Sequence, residues 1–351
     1  MKKIRVGVIG VGYFGQFHVE KYAKMRGVEL VGVVDIHATR AREIANRFHT
    51  QPFLHHSELF GKVQAVSITV PTPFHHSITK DFFLHGVDVL LEKPIANTLE
   101  EADELVDLAR SKGLILQIGH LERFNGAFLA VERMARNPRL IEAHRLGPFS
   151  GRGGEVNVVL DLMIHDIDIV LSLVNSRVKE IHAMGLPVLT RSFDVAQAWI
   201  EFENGCTANL IASRVSTEKV RKARIYQPNQ ILSIDFLFQK ASLSKKALPR
   251  RKRPYPDMVT REIPVKKNDP LEVEIASFLR SVRNRKEARV SGWDGRVALE
   301  VALWILQRME EADGRGWASR STDEIEEGLT GSRRSFRRSF GFPSGGGNPG
   351  D

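Results

Sequence analysis

The chain has 351 residues, of which 42% are hydrophobic and 26% charged, with a formal net charge of +9. That length supports two domains with sizeable cores, and the balance is that of a soluble globular protein. No run of about 18 apolar residues occurs, which argues against a membrane span, and the one cysteine, Cys206, excludes an intrachain disulfide and supplies no metal framework.

In chain order, the first element is an apolar strand after Met-Lys-Lys-Ile. The basic opening resembles a leader, but Gly7, Gly10 and Gly12 break the apolar part and no small-residue cleavage site follows. It is read as the first strand of a cytoplasmic protein. Gly10-Val-Gly12-Tyr-Phe-Gly15 then opens a helix, and a second strand ends on Asp35. This is the dinucleotide-binding fingerprint in its strand–turn–helix–strand setting. Gly10 permits the tight turn, Gly12 admits a pyrophosphate, and Gly15 lets helix and strand pack closely. Tyr13 and Phe14 lie within the turn. The helix N-terminus suits phosphate. Asp35 stands where a carboxylate accepts from ribose hydroxyls and repels a 2′-phosphate, so NAD is favoured over NADP; Arg40 keeps the second open.

Residues 37–48 predict a helix, 63–70 a strand ending at Pro71-Thr72-Pro73, 75–85 a helix and 87–91 another strand. Thr98-Leu-Glu-Glu101 predicts a capping box for a helix to Ser111, ended by Gly113, before a last strand at 115–118. The alternation implies a doubly wound parallel sheet over residues 1–122. Ligands of such sheets bind beyond the strand C-termini. Asp35, Pro71, Thr72, His75, Glu92, Lys93 and Arg123 all fall at those ends and are cofactor or substrate candidates.

A second unit is expected over 123–312. Residues 140–145 read as a strand, Gly151–Gly154 as a glycine-rich loop and 160–174 as a helix. Strand-like runs follow at 178–184, 195–202, 207–213, 224–226, 231–238 and 258–265. Asn204-Gly205 predicts a two-residue type I′ hairpin. This implies an open, mainly antiparallel sheet with helices on one face and self-association on the other. Asp269-Pro270 and Ser291-Gly-Trp-Asp294 predict caps for two closing helices. The tail 313–351, rich in Gly, Ser and Arg, is expected to be disordered.

Three constellations carry chemistry. Lys93 follows the strand at 87–91 and precedes Pro94, where an ammonium can stabilise an alkoxide or donate to a sugar hydroxyl; the plain alternative is an exposed lysine. Asp161, His165 and Asp168 share one helix face at spacings of four and three. A histidine beside carboxylates suits proton transfer, and a buried structural His–Asp pair is the alternative. His55-His56 and His75-His76 are adjacent pairs that diverge, so no metal site is expected. Segment 240–253 holds seven Lys and Arg and no acid, and reads as a loop between strands, either simply solvated or in contact with a phosphorylated substrate, an anionic membrane surface or nucleic acid. Few aromatics interleave, so no nucleic acid is expected.

Gly10-x-Gly12-x-x-Gly15, Pro71-Thr-x-x-His75, Glu92-Lys93-Pro94, Arg123-Phe124 and Asp161-x-x-x-His165-x-x-Asp168 together resemble the glucose–fructose oxidoreductase / inositol dehydrogenase (Gfo/Idh/MocA) family over about residues 1–310. The resemblance implies a Rossmann domain plus an open-sheet α/β domain, NAD(P) use, oxidation at a sugar or cyclitol carbon, and homodimers or homotetramers. It implies that Lys93 and His165 flank the reacting hydroxyl while Asp161 orients the substrate. Met163 departs from the glycine that many members carry, which bears on pocket shape. Gly119-His-Leu-Glu-Arg-Phe-Asn125 and residues 160–168 are most similar to the subgroup that oxidises the 3-hydroxyl of UDP-N-acetylglucosamine with NAD, ahead of transamination on a route to lipid A. A UDP-sugar needs cationic groups for its phosphates, and Arg123, Arg145 and Arg152 are candidates. A dehydrogenase of a free sugar or inositol, and a non-catalytic NAD-binding regulator, are the alternatives.

Overall fold

The computed structural model describes residues 3–149, 151, 156–247 and 257–314. The tail beyond 314, Arg152 and the second half of the basic segment lie outside these residues.

Six parallel strands form the first sheet: β1 (Ile4–Ile9), β2 (Val28–Val34), β3 (Gln51–Phe53), β4 (Ala65–Ile68), β5 (Asp88–Glu92) and β6 (Leu116–Gly119). Their spatial order is β3-β2-β1-β4-β5-β6, so the winding reverses between β1 and β4. Helices α1 (Gly15–Lys24), α2 (Ala38–Phe48), α3 (His75–Leu84) and α4 (Leu99–Lys112) make the crossovers. Both faces are covered, which is why β4 and β5 are nearly unbroken apolar runs. β3 is too short for a periodic signal and is not anticipated. Thr98 caps α4 by accepting from the Glu101 N–H, but the Glu101 carboxylate reaches the N–H of Asn97, one residue before the expected partner.

After the short helix α5 (Gly126–Val131), the second sheet has eight strands: β7 (Leu140–Leu146), β8 (Val178–Leu186), β9 (Val195–Phe202), β10 (Thr207–Ser213), β11 (Val220–Gln227), β12 (Gln230–Asp235), β13 (Lys240–Lys246) and β14 (Met258–Ile263). The order is β14-β13-β12-β11-β7-β10-β9-β8, antiparallel except for the β7–β10 pair. The chain is therefore α/β throughout, a Rossmann sheet followed by a mixed, mainly antiparallel one.

Two expectations are corrected here. Residues 240–246 of the basic segment are strand β13, not loop; Ala241 is buried and Leu243 half-buried while the lysines reach solvent. The Asn204-Gly205 turn is not type I′. Gly205 alone has a positive φ, of 78°, and its N–H donates to the Phe202 carbonyl at 3.0 Å. Glu203–Gly205 is a three-residue loop, the type I turn with a glycine bulge.

Helix α6 (Ile164–Val174) carries on from a π-helical segment, Val159–Met163, where an ordinary helix is expected. Two long helices, α7 (Pro270–Asn284) and α8 (Gly292–Asp313), close the fold with the caps read from sequence: Asp269 accepts from Leu271 and Glu272, and Ser291 and Asp294 form a reciprocal box. Helix α7 returns to the first sheet, packing Leu271, Ile275 and Phe278 against Val6, Val8 and Tyr22. Helix α8 joins both units. Leu299 enters the first sheet's core, while Ala302, Ile305 and Met309 meet Ile181 and Ile200 of the second. The strand ends of one sheet are thereby held against α6, which lies on the inner face of the other.

Candidate active site

At the first turn the glycines meet the demands read from sequence. Gly10 has a φ of 81°, and a Cβ on Gly15 would stand 1.9 Å from the Gly10 carbonyl oxygen. A Cβ on Gly12 would meet nothing within 4 Å, so the space in front of the turn is open. Asp35 closes the turn: its carboxylate accepts from Val11 and His37 N–H groups at 3.1 and 2.9 Å and pairs with Arg40 at 3.3 Å. A cleft of about 680 Å³ starts here, lined by Gly10, Gly12, Asp35, Arg40, Pro71 and Phe74. Its open glycine face, terminal acid and apolar walls fit a dinucleotide. Tyr13 is exposed and stacks edge-on against Phe17, and Phe14 takes the N-cap position of α1. Thr72 begins a short turn that leads into α3. His75 has a different setting: its buried ring joins the carbonyls of Val70 and Pro94 at 2.9 and 2.8 Å, tying two strand-end loops together.

Lys93 leaves the end of β5 and is followed by a cis bond to Pro94. Its Nζ donates to the backbone carbonyl of Asp161 at 2.6 Å and stands 3.6 Å from the Asp161 carboxylate. Asp161 belongs to the π-helical segment, a feature common at functional sites. His165 lies on the first turn of α6. Burial holds its imidazole well below the usual range, with the Lys93 ammonium and then the Arg145 guanidinium adding to the effect. Its Nδ1 is buried with no protein partner. Burial also lowers the Lys93 ammonium, opposed by the charges of Asp161 and Glu92. Burial thus disfavours the charged form of both groups beside this cleft, and carboxylates oppose that effect only at Lys93.

The remaining helix residues are arranged differently from expectation. Asp168 is buried and pairs with Arg123 at 3.4 Å, and burial pushes its carboxyl up to about 7. The pair faces a second groove of about 750 Å³ between α6 and α8, whose lining includes Trp293 and Trp304 but not Lys93, Asp161 or His165. Arg145 is not available for a phosphate. It is 2% exposed, gripped in two parallel bonds of 2.9 Å by Asp166 and by Glu122 at 2.9 Å. The same carboxylates lie near Arg221 of β11, whose side chain remains partly exposed.

Comparison with known proteins places this geometry. A family model described as an oxidoreductase family with an NAD-binding Rossmann fold matches residues 4–120, and the GFO/IDH/MocA C-terminal domain matches 125–229. The chain belongs to the Gfo/Idh/MocA oxidoreductase family. A UDP-N-acetylglucosamine 3-dehydrogenase from Acidithiobacillus ferrooxidans is 35% identical over 88% of this chain and 98% of its own. A structure of that enzyme superposes with a TM-score of 0.83, covering 89% of this chain and 99% of the other. An inositol 2-dehydrogenase from Rubrobacter xylanophilus is 28% identical over 53% of this chain and 56% of its own. A myo-inositol 2-dehydrogenase structure from Lactobacillus plantarum, at 19% identity and a TM-score of 0.75 over 89% of this chain and 98% of that one, shows the shared fold.

As a Gfo/Idh/MocA member the protein is a nicotinamide-dependent oxidoreductase acting on a CH–OH group. Two further residues lie here: Arg221, which carries no signal in the sequence, and His120, within the Gly119–Asn125 stretch that carries the resemblance. Arg221 reaches the site because β11 pairs with β7 in a register that sets it opposite Arg145, a long-range fact. His120 follows β6, whose Gly119 pairs with Glu92. Its ring is buried with both nitrogens unpartnered, and burial, Arg123 and Lys93 push it down to about 3.

Proposed function

We propose that this protein uses NAD to oxidise the 3-hydroxyl of a UDP-linked N-acetylhexosamine, most simply UDP-N-acetylglucosamine, giving a 3-keto sugar for transamination toward lipid A or a surface polysaccharide. The observation that carries the reading is the close grouping of Lys93, Asp161 and His165 beside the fingerprint cleft. The similarity to the Acidithiobacillus enzyme over nearly its full length supports the substrate.

When bound, the nicotinamide cofactor supplies the hydride acceptor. Gly10, Gly12, Tyr13, Phe14 and Gly15 would hold its phosphates, Asp35 and Arg40 its ribose, and Pro71, Thr72 and Glu92-Lys93 frame the reactive end. His165 takes the proton of the sugar hydroxyl; its neutral form, enforced by burial, is the form that can accept one. Lys93 stabilises the developing oxyanion, with Asp161 fixing the amine by two contacts. Asp161 also orients the sugar. Arg221 takes the role of phosphate partner that Arg145 cannot fill, while Arg123 and Asp168 shape the site from behind. The outer face of the second sheet, bearing Met184, Trp199 and Ile211, pairs with a second copy in a cytoplasmic homodimer or homotetramer. Among the described residues no helix is long and apolar enough to cross a membrane.

The test is a panel of UDP-sugars, free sugars and inositols, each with NAD or NADP, an aminotransferase and glutamate, read by mass spectrometry for a 3-amino product. Trapping the ketone draws an uphill oxidation forward. The expected result is a 3-amino sugar from UDP-N-acetylglucosamine with NAD. Turnover of glucose or myo-inositol with no UDP-sugar would overturn the substrate and leave the dehydrogenase.

A further inference from the structure

Behind the Lys93 site a line of buried polar groups runs from β5 back into α1. Tyr22 Oη lies 2.9 Å from Ser67 Oγ, Ser67 Oγ lies 3.1 Å from His18 Nδ1, and His18 Nε2 lies 3.4 Å from Glu92 Oε1. His18, Tyr22 and Ser67 are all buried. Among the described residues neither His18 Nε2 nor Glu92 Oε1 has a hydrogen-bond partner, and the two atoms face each other at ion-pair distance. The other Glu92 oxygen accepts from the Lys93 backbone N–H at 3.3 Å.

The neighbouring strand is shaped around this carboxylate. A Cβ on Gly119 would stand 2.7 to 2.9 Å from the Glu92 carboxylate atoms, so only glycine leaves the seat open. From α7, Glu274 faces the same spot, fully buried. Burial first, and then the charge of Glu92, hold the Glu274 carboxyl well above its usual range. The charged and titratable groups that face Lys93 itself are Asp161 from the π-helical segment, Glu92 from β5, Arg145 from β7, His165 from α6 and His120 after β6. Two of these are acids, and of the two Glu92 alone is locked in place from behind.

We propose that His18, Ser67 and Tyr22, with the gap at Gly119, hold Glu92 as a fixed second counter-charge of Lys93 beside the ion-paired Asp161, and that this seat helps set the pH range over which Lys93 keeps its proton. His18 and Glu92 are then positioning residues that act through Lys93. The inference deepens the role given to Lys93 above, and its test needs no substrate. A nearby opposite charge favours the charged form of its neighbour, and the buried setting of Lys93 leaves that effect little screened.

The experiment is competitive acetylation of the full chain with dilute acetic anhydride across pH, with the Lys93 peptide quantified by mass spectrometry. Circular dichroism and NADH fluorescence establish that each variant is folded. Glu92→Gln keeps the shape and removes the charge, and should lower the Lys93 midpoint by about one pH unit. His18→Leu and Gly119→Ala, which free or displace the carboxylate without touching Lys93, should lower it in the same direction. His18→Gln, whose amide reaches where Nε2 stands, should restore the wild-type midpoint. Should His18→Leu not fold, Glu92→Gln and Gly119→Ala make the comparison. An unchanged midpoint in Glu92→Gln overturns the counter-charge, and a shift in Glu92→Gln but in none of the folded His18 or Gly119 variants overturns the seat. Absence of sugar turnover in the wild-type enzyme would count against the proposed reaction and leave these midpoints to be read independently.

Discussion

In the proposed reaction His165 and Lys93 divide the chemistry by the way burial treats each. Desolvation disfavours charge on both, yet Lys93 has two carboxylates opposing that effect and His165 has only cations added to it. His165→Ala should bind NADH normally and lose about 10²–10⁴ in turnover; turnover near the wild-type rate would remove it from the role. Because the folded imidazole lies well below its ordinary value, it remains neutral as pH falls from about 8 to 6. The rate profile of kcat/KM should therefore lack an acid limb near pH 6.5, and such a limb, abolished in His165→Ala, would contradict a desolvated base. At this scale sequence is legible where a residue answers to its own backbone. Gly10 and Gly15 are required by a positive φ and a close carbonyl, demands set within a few positions of each. Arg145 shows the opposite. Its partners Glu122 and Asp166 are 23 and 21 residues away, and no spacing rule exposes that pairing or predicts the burial that follows from it.

The elements that carry the site are aimed by local devices. The π-helical segment offers the Asp161 carbonyl to Lys93, and Asn157 fixes its start by accepting from the Leu160 N–H at 2.9 Å. A second device holds the strand ends above it. Asp194, fully buried, accepts from three successive N–H groups, of Val188, Leu189 and Thr190, at 2.6 to 2.8 Å, and binds Arg214 Nε at 2.7 Å. Arg214 also donates to the carbonyl of Val156, just before the π-helical segment. These hydrogen bonds hold the Asp194 carboxyl far below its usual range, outweighing burial. Asp194→Ala removes the carboxylate that the buried Arg214 pairs with and should cost about 3–5 kcal/mol at pH 7 in urea unfolding. A carboxyl lowered in the folded state stabilises above its unfolded value of about 3.9 and loses that contribution as pH falls toward the folded one. The gap between wild type and Asp194→Ala should accordingly narrow below about pH 4, and a constant gap would show that the charge is not what holds the loop. Element type is largely legible in the sequence because parallel strands covered on both faces read as apolar runs. Strand β13 is not, because its lysines sit at its two ends and only Ala241 and Leu243 face inward. The hairpin at Asn204 is misjudged for a related reason: Asn-Gly fits two turn types, and the strand register selects between them.

In the whole molecule, both units must meet for the site to exist. Lys93 comes from the first sheet and His165 from the helix lying on the second, and α8 fixes their separation by entering both cores. The order of strands and helices implies this architecture; the return of α7 to the first sheet is a tertiary fact with no local signal. The outer face of the second sheet leaves Met184 50% and Trp199 39% exposed among polar neighbours. If a second copy covers it, Trp199→Glu should shift the sedimentation coefficient from oligomer to monomer, and a monomeric wild-type chain would refute the pairing.

The central claim concerns one carbon and one cofactor, and isotope transfer addresses both together. UDP-N-acetylglucosamine carrying deuterium at carbon 3 would be incubated with the enzyme, NAD, and a coupled aminotransferase with glutamate, and the reduced cofactor examined by mass spectrometry. The account predicts NADH one mass unit heavier, formed in step with the 3-amino sugar, and lost in Lys93→Met and His165→Ala. Unlabelled NADH formed from the same substrate would place the oxidation at another carbon and contradict the account.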